Sequence, residues 1–302
     1  MKKAKKILLL IICLSLIVSV FTACGRGRGD YDIVVVGRTF AEGQIMAVVM
    51  AMLIEEGTDL SVGVIQDLTA TIAFEAVVLG DAQVMTMYTG TAVVAHLGED
   101  VLPGTPFEET FERARDGLLE EFGIVVFERS LFNNTYALGV SREFAEANNV
   151  WTYSDLVPFT PYMTFVGEHS FFDRPDGFHG MSGAYGFEFA DYVMVDVGLK
   201  YAAFDQDRMG NALIVFSTDS QIVTTDVVVL EDDRGFFPAY YGHVAVRRDT
   251  LEQLPELEPI LSVLSGIITS EEMTRFNYLV DSGQINVRQA AEQLISEFGL
   301  IG

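Results

Sequence analysis

The feature that most constrains the fold is a repeated alternation of strand-like and helix-like segments, which starts at Tyr31. Residues 32–36 read DIVVV, an apolar run typical of a buried strand, and residues 41–56 form a long stretch of helical character. Residues 60–65 then have the alternation of a second strand. Strands separated by helices in this way form parallel sheets with helices on both faces, so the sequence predicts an α/β fold.

The same alternation continues to the C-terminus in two series. Further strands are predicted at residues 83–87, 124–127, 136–140, 163–166, 212–216, 227–230 and 243–247. Further helices are predicted at residues 69–79, 107–122, 153–156, 177–185, 199–208, 251–265, 270–280 and 287–298. Two α/β series predict two lobes, one of residues 31–130 with 238–302 and one of residues 131–237. We expect the chain to cross between them near residues 127–136 and 235–244.

The first 24 residues have the composition of an export signal. Four lysines precede an apolar run at residues 7–23, which ends in Thr22, Ala23 and Cys24. Residues 20–24 resemble the lipobox of bacterial lipoproteins, which implies removal of residues 1–23 and a diacylglyceryl group on the Cys24 sulfur. Residues 24–30 would then form a lipidated tether. The alternative is an uncleaved membrane anchor, since roughly 17 apolar residues can just span a bilayer. In both cases the folded part lies outside the cytoplasm.

The net charge limits the classes of binding partner, and the cysteine content limits the possible disulfides. The formal net charge of −24 disfavours binding to nucleic acid or to an anionic membrane surface. The chain has 2 cysteines, and Cys13 lies inside the apolar run, so the exported form keeps only Cys24 and has no intramolecular disulfide. Its 50% hydrophobic composition is sufficient for a core without cross-links.

The sequence lacks common signatures of catalysis and metal binding. It has no nucleophile elbow, no Walker phosphate loop and no HExxH zinc motif. The four histidines, which have no metal-ligand spacing, are His96, His169, His179 and His243. We therefore predict a binding protein without catalytic residues, metal site or cofactor.

Six short segments near the ends of predicted strands carry the candidate site residues. They read GRTFAE from residue 37, YTGT from 88, NNTYAL from 133, RPDG from 174, FSTD from 216 and GFFPAYY from 235. In this order they resemble the glycine betaine/carnitine/choline-binding proteins of osmoprotectant ABC transporters, and the resemblance extends over residues 31–300. The most specific matches are LEDDRGFFPAYY, NNTYAL, and RPDG followed by AYGFEF.

This resemblance implies a two-lobed, type II-like periplasmic-binding-protein fold, in which each lobe is a mixed, mainly parallel sheet flanked by helices. The ligand would lie in the interlobe cleft, and closure of the lobes would present it to a membrane permease and its ATPase. We expect a monomer that captures a quaternary-ammonium solute for osmoprotection, with glycine betaine as the first candidate. The alternatives are specificity for choline or carnitine, or a secreted enzyme or anchored sensor that reuses the fold.

The site residues of the family can be carried over motif by motif. A quaternary ammonium has no N–H to donate, and aromatic faces attract it without hydrogen bonds. The resemblance implies an aromatic cage of Tyr88, Tyr136, Phe216 and Tyr240, with Tyr241 as the adjacent candidate. It also implies that Arg38, Thr91 and Arg174 hold the ligand carboxylate, and that Asn134 and Thr135 offer backbone carbonyls beside the cage. The chain departs from the family at Arg38, where the family has Lys, and at Phe216, where it has Tyr.

Replacement of Cys24 by Ser tests the lipid anchor. Serine cannot form the thioether, so we expect the Cys24→Ser protein to leave the membrane fraction or to retain residues 1–23. Cell fractionation and the mass of the product measure both effects. A Cys24→Ser protein that stays in the membrane fraction at wild-type level and mass would contradict the lipobox interpretation.

Overall fold

The computed structural model describes residues 31–102 and 104–301. The predicted signal peptide, the lipidated Cys24 and the tether at residues 24–30 lie outside these residues. Across the two described ranges, no helix combines the length and the apolar character needed to cross a membrane.

Strands and helices alternate along the described chain. The strands are β1 (Ile33–Arg38), β2 (Val62–Leu68), β3 (Val84–Tyr88), β4 (Ile124–Asn133), β5 (Tyr136–Ser141), β6 (Thr164–Glu168), β7 (Asp191–Val195), β8 (Asn211–Phe216), β9 (Val227–Val229) and β10 (Tyr241–Arg247). The α-helices are α1 (Ala41–Gly57), α2 (Ala70–Leu79), α3 (Phe107–Phe122), α4 (Arg142–Asn148), α5 (Tyr153–Leu156), α6 (His169–Asp173), α7 (Phe178–Tyr185), α8 (Lys200–Phe204), α9 (Arg248–Gln253), α10 (Leu257–Ser262), α11 (Ser270–Asp281) and α12 (Val287–Phe298). A π-helix occupies Thr91–His96, and 3₁₀ turns occupy Val157–Tyr162, Val197–Leu199, Asp205–Asp207 and Ser220–Val223.

The strands form two mixed five-stranded sheets. The first has the order β2-β1-β3-β10-β4, and β10 runs antiparallel to both of its neighbours. The second has the order β7-β6-β8-β5-β9, in which β6 is parallel to β7 and β8 while β5 is antiparallel to β8 and β9. This arrangement confirms the α/β prediction. Because the second sheet takes its strands only from residues 136–229, we propose that the lobes divide as residues 31–130 with 238–302, and 131–237.

The apolar sequence of β1 follows from burial on both faces. Ile33 and Val35 pack with α1 in one hydrophobic cluster, whereas Val34 and Val36 pack in another with residues of α2 and α3. A strand covered on both faces has no polar alternation. The strand therefore ends where the first charged side chain appears, at Arg38.

Side-chain caps fix the starts of some helices, α11 among them. Thr269 caps α11, since its hydroxyl accepts from the Glu272 backbone N–H while the Glu272 carboxylate accepts from the Thr269 N–H. Ser270 has another role, because its hydroxyl accepts a hydrogen bond from the Asn133 backbone N–H at 3.1 Å. The last segment of the chain is thereby attached to the connection between the two sheets.

Several predicted boundaries were wrong, for identifiable reasons. The predicted helix at residues 251–265 is two helices, α9 and α10, because Pro255 stands between them. The predicted helix at residues 199–208 is the short α8 flanked by 3₁₀ turns. Strand β4 continues to Asn133, beyond the predicted end at residue 127. Strand β7 was missed because it is an exposed edge strand that depends on pairing with β6, and helix α4 was also missed.

Candidate functional site

A cavity of about 470 Å³ lies at the strand ends of both sheets. Arg38 ends β1 and Tyr88 ends β3 on the side of the first sheet. Tyr136 begins β5, and Phe216 ends β8, on the side of the second sheet. Ligands of open α/β sheets bind at such strand ends, because the loops that follow can carry polar groups without disrupting the core. The cavity is therefore the candidate site.

Five aromatic rings follow one another along the cavity and form what we call the aromatic wall. In spatial order they are Tyr88, Phe40, Phe216, Tyr136 and Tyr240. The successive ring centroids are 6.5, 5.5, 5.1 and 5.7 Å apart, and the last pair is T-shaped. These separations are typical of interacting aromatic rings, so the wall is a continuous π surface. Phe40 was not predicted as a member.

Two tyrosines of the aromatic wall donate their hydroxyls to buried carboxylates. Tyr88 donates to Glu42 Oε1 at 2.5 Å, and Tyr240 donates to Asp176 Oδ2. Burial, followed by the charge of the adjacent carboxylate, raises the pKa of both tyrosines well above the ordinary value of 10. Both hydroxyls therefore stay protonated, and the bonds fix the orientation of the rings.

The Glu42 carboxylate is fully buried and accepts hydrogen bonds from separate parts of the fold. Besides Tyr88, the Asn134 side-chain amide donates to Oε1 at 2.9 Å and the Thr218 hydroxyl donates to Oε2 at 2.8 Å. Asn277 of α11 donates to the Thr218 backbone carbonyl at 3.0 Å. Hydrogen bonds of this kind offset the cost of burying a charge, so Glu42 connects elements beside both sheets.

Arg174 is held by an internal carboxylate. Its Nε and Nη2 donate to the two Asp176 oxygens at 2.8 and 2.5 Å, and its Nη1 donates to the Thr91 hydroxyl at 3.3 Å. The guanidinium carbon lies 5.6 Å from the ring centroid of Tyr136 and 5.9 Å from that of Tyr240. Asp176 thus orients Arg174 and compensates much of its charge.

Arg38 is the less compensated cation. Among the described residues, no carboxylate lies within ion-pairing distance of it, and its Nε has no hydrogen-bond partner. Burial lowers the pKa of its guanidinium, and the nearby Arg174 charge acts in the same direction. An arginine remains charged under these conditions, so Arg38 presents unused donors to the cavity.

His96 also lines the cavity. It stacks on Phe74 with centroids 3.7 Å apart, and burial together with the charges of Arg174 and Arg38 lowers its pKa to about 3. The imidazole is therefore neutral at physiological pH. It belongs to the π-helix Thr91–His96, which also places Thr91 in the cavity wall.

Glycines make room for two parts of the site. A Cβ on Gly90 would lie 2.6 Å from the ring of Tyr240, and one on Gly177 would lie 1.8 Å from the Phe171 backbone oxygen. Both approaches are closer than atoms tolerate. The glycines of the YTGT and RPDG segments are therefore explained by packing around the site.

Not all predicted site residues reach the cavity. It is lined by Arg38, Tyr88, Thr91, Asn134, Tyr136, Arg174, Phe216 and Tyr240, but not by Thr135 or Tyr241. The Thr135 carbonyl accepts from the Ser217 backbone N–H at 2.9 Å, and the Tyr241 ring packs edge-on against Phe107 at 4.7 Å. Alternation along the chain explains the second case, since Tyr240 and Tyr241 point to opposite sides.

Comparison with known proteins identifies the family. The family described as substrate binding domain of ABC-type glycine betaine transport system matches residues 31–297. The chain belongs to this family. It is therefore a solute-binding protein of ABC transporters and not an enzyme, and such proteins of importers act outside the cytoplasm.

Two relatives of this substrate-binding domain carry specific names. The carnitine transport binding protein of Listeria monocytogenes is 32% identical over 276 residues, which cover 90% of this chain and 89% of that protein. The ergothioneine transport permease/ergothioneine binding protein of Helicobacter pylori is 35% identical over 225 residues, which cover 74% of this chain. This chain covers 40% of the length of that second protein.

Solved structures agree with the fold of the substrate-binding domain. A glycine betaine/carnitine/choline ABC transporter structure has a TM-score of 0.72 at 28% identity and covers 89% of this chain and 99% of that one. A lactococcal protein complexed with glycine betaine has a TM-score of 0.64 at 14% identity, over 88% of this chain and 96% of that one. The type II-like binding-protein fold is confirmed.

Sequence reasoning missed the carboxylates that organise this binding domain. Asp176 lies two residues after Arg174 in the RPDG segment, and Glu42 lies two residues after Phe40 in the GRTFAE segment. Their positions inside the motifs were the available signal. Burial could not be deduced from the sequence, because in a chain with 43 acidic residues a single carboxylate has no distinguishing context.

The pH dependence of stability tests the buried state of Glu42. Burial is the main cause that raises its pKa above 4.5 in the folded protein, so the folded state holds the proton more tightly than the unfolded chain. The free energy of unfolding of the wild type should therefore fall relative to Glu42→Gln as the pH rises from 4.5 toward neutrality. Urea unfolding of both proteins at several pH values measures this difference. A difference that is constant with pH, or that changes in the opposite direction, would contradict the prediction.

Proposed function

We propose that this protein is the binding subunit of an ABC importer for betaines, solutes that carry a quaternary ammonium and a carboxylate. One observation supports the proposal above the others: the aromatic wall and two arginines line the same cavity. Such a cavity offers π surface to a cation and N–H donors to an anion. A zwitterion with both groups uses both parts of the site.

The aromatic wall suits the trimethylammonium end. Each ring that faces a desolvated cation contributes on the order of 0.5–2 kcal/mol. Several rings together are sufficient for about micromolar binding when the anionic end is also held. Phe216 already contacts an internal cation, since the Lys200 ammonium lies 4.1 Å from its ring centroid and pairs with Asp219 at 2.7 Å. The Arg174 guanidinium carbon lies farther from the rings of Tyr136 and Tyr240, at 5.6 and 5.9 Å, so we assign more of the cation binding to these two tyrosines and to Tyr88.

Arg38 and Arg174 suit the carboxylate end to different degrees. Asp176 already engages two nitrogens of Arg174, whereas Arg38 has no ion pair among the described residues. We infer that Arg38 is the main partner of the ligand carboxylate and that Arg174, oriented by Asp176, assists it with Nη1 beside Thr91. Without a ligand anion, these donors would be desolvated and poorly paired.

The relatives support the betaine class but differ within it. The names of the two relatives specify ergothioneine and carnitine, and the family is described for glycine betaine transport; each of these solutes contains a trimethylammonium and a carboxylate. Choline has the cation and a hydroxyl but no carboxylate, and we therefore place it below the betaines. We further propose attachment to the membrane by a lipid on Cys24, activity as a monomer, and delivery to a permease and its ATPase for osmoprotection.

Two matched alanine variants test the aromatic wall. Tyr136 lines the cavity. Tyr136→Ala should therefore weaken the binding of the betaine that the wild type binds most tightly by about 1–3 kcal/mol, through lost cation–π attraction and lost burial. Tyr241 packs on Phe107 outside the cavity, so Tyr241→Ala should change the affinity little. Calorimetric titration of both variants, folded at the assay temperature, measures the difference. Equal affinities in wild type and Tyr136→Ala would place the cation elsewhere.

Replacement of Arg38 tests the carboxylate end. Arg38→Leu should weaken betaine binding by about tenfold or more, which is about 1.4 kcal/mol, and should change choline binding much less. The wild type should also bind betaines at least about tenfold more tightly than choline. Arg288→Leu is the control, because Arg288 is exposed on α12. If Arg38→Leu lowered the affinities for choline and for betaine equally, Arg38 would not be a partner of the ligand carboxylate.

A further inference from the structure

Glu168 is a buried carboxylate that the proposed function does not use. It ends β6, is 1% exposed and lines the cavity. Neither of its side-chain oxygens has a hydrogen-bond partner among the described residues. Buried carboxylates are normally satisfied by several donors, because an unsatisfied one loses its hydration without compensation. Glu42, in the same protein, illustrates the satisfied case.

The groups around Glu168 do not supply the missing donors. The Lys200 ammonium favours the charged form of Glu168 but pairs with Asp219 at 2.7 Å. Burial is the largest cause that raises the pKa of Glu168, and the Tyr136 hydroxyl and the Glu168 backbone N–H, which are nearby donors, act in the opposite direction. Neither donor makes a hydrogen bond of acceptable geometry to the Glu168 side-chain oxygens. An ionised carboxylate has about four acceptor positions, so Glu168, a residue that lines the cavity, keeps unused acceptor capacity.

Glycine betaine cannot use this capacity. Its trimethylammonium has no N–H, and its carboxylate only accepts hydrogen bonds. We propose that Glu168 accepts a hydrogen bond from an O–H or N–H group of the ligand, so that the preferred solute is a betaine with such a donor. This inference rests on the proposed betaine-binding function and narrows its ligand class. A site whose buried acceptor receives a hydrogen bond from the ligand binds an analogue that lacks the donor group much more weakly.

The dimensions of the cavity agree with a larger betaine. Its wall continues beyond the aromatic rings along His169, Ser170 and Asp173, and its volume of about 470 Å³ is within the range of cavities that hold drug-sized ligands. Glycine betaine is far smaller than such a ligand. A hydroxyl-bearing chain or an N–H-bearing ring would occupy the additional space next to Glu168.

Glu168 could instead attract the ligand cation by charge alone, and matched ligands separate the two roles. Carnitine and γ-butyrobetaine differ by one hydroxyl, and histidine betaine carries an imidazole with an N–H where phenylalanine betaine has a phenyl ring without a donor. In the wild type, we expect the donor-bearing member of at least one pair to bind about tenfold more tightly than its partner. In Glu168→Met, which has similar length but no carboxylate, this advantage should fall below about threefold.

The controls distinguish the outcomes. Glu168→Gln keeps a carbonyl acceptor without the charge, so it should retain part of the advantage, and Glu143→Met places the same substitution on an exposed helix position. The proposal is overturned if both donor-free betaines match their partners in the wild type, a result that requires no variant. The proposal is also overturned if Glu168→Met lowers the affinity for all four ligands by the same factor. Absence of binding by all four to the wild type would instead refute the proposed function itself.

Discussion

Three hydrogen bonds converge on the Glu42 carboxylate, from Tyr88 of the first sheet, Asn134 of the connecting segment and Thr218 beside the second sheet. A fully buried charge is tolerated only with such compensation. Because each donor comes from a different part of the chain, the carboxylate can be satisfied only when these parts are correctly placed. The position of the Tyr88 ring in the aromatic wall depends on this arrangement.

The same pairing of carboxylates with tyrosine hydroxyls and cations recurs next to the aromatic wall. Asp176 accepts from both Tyr240 and Arg174, and Asp219 accepts from Tyr201 and pairs with Lys200. Acidic side chains therefore act inside this protein as acceptors that orient aromatic and basic groups. The rings and guanidinium groups are positioned in advance, so the entropy lost on ligand binding is reduced.

The fold could be predicted from the sequence because each α/β unit has its own local pattern. The DIVVV run and the capped amphipathic helices contain enough information within a few residues. Strand β7 was missed because an edge strand is defined by its partner, so tertiary context decided this case. The division at Pro255 is different, because a proline inside a helical pattern is a local signal that the sequence itself contains.

The motifs predicted the cavity residues more reliably than their partners. The family motifs together with their strand-end positions indicated Tyr88, Tyr136 and Phe216, and strand ends meet at one edge of a sheet. The choice between Tyr240 and Tyr241 required the direction of each side chain. Glu42, Asp176 and Glu168 could not be separated from the other acidic residues, because burial arises only when distant segments meet.

The insertion of β10 between β3 and β4 has a consequence for biogenesis. Secreted chains emerge N-terminus first, and the second sheet has all its strands once residue 229 is available. The first sheet lacks β10, which lies between β3 and β4, until residue 247 has emerged. The strands of the second sheet are therefore all available while the first sheet is still open. The lining of the cavity is complete only when the segment with Tyr240 arrives, and helices α9 to α12 follow it, so a chain truncated before residue 240 would keep every strand of the second sheet but lack part of the site.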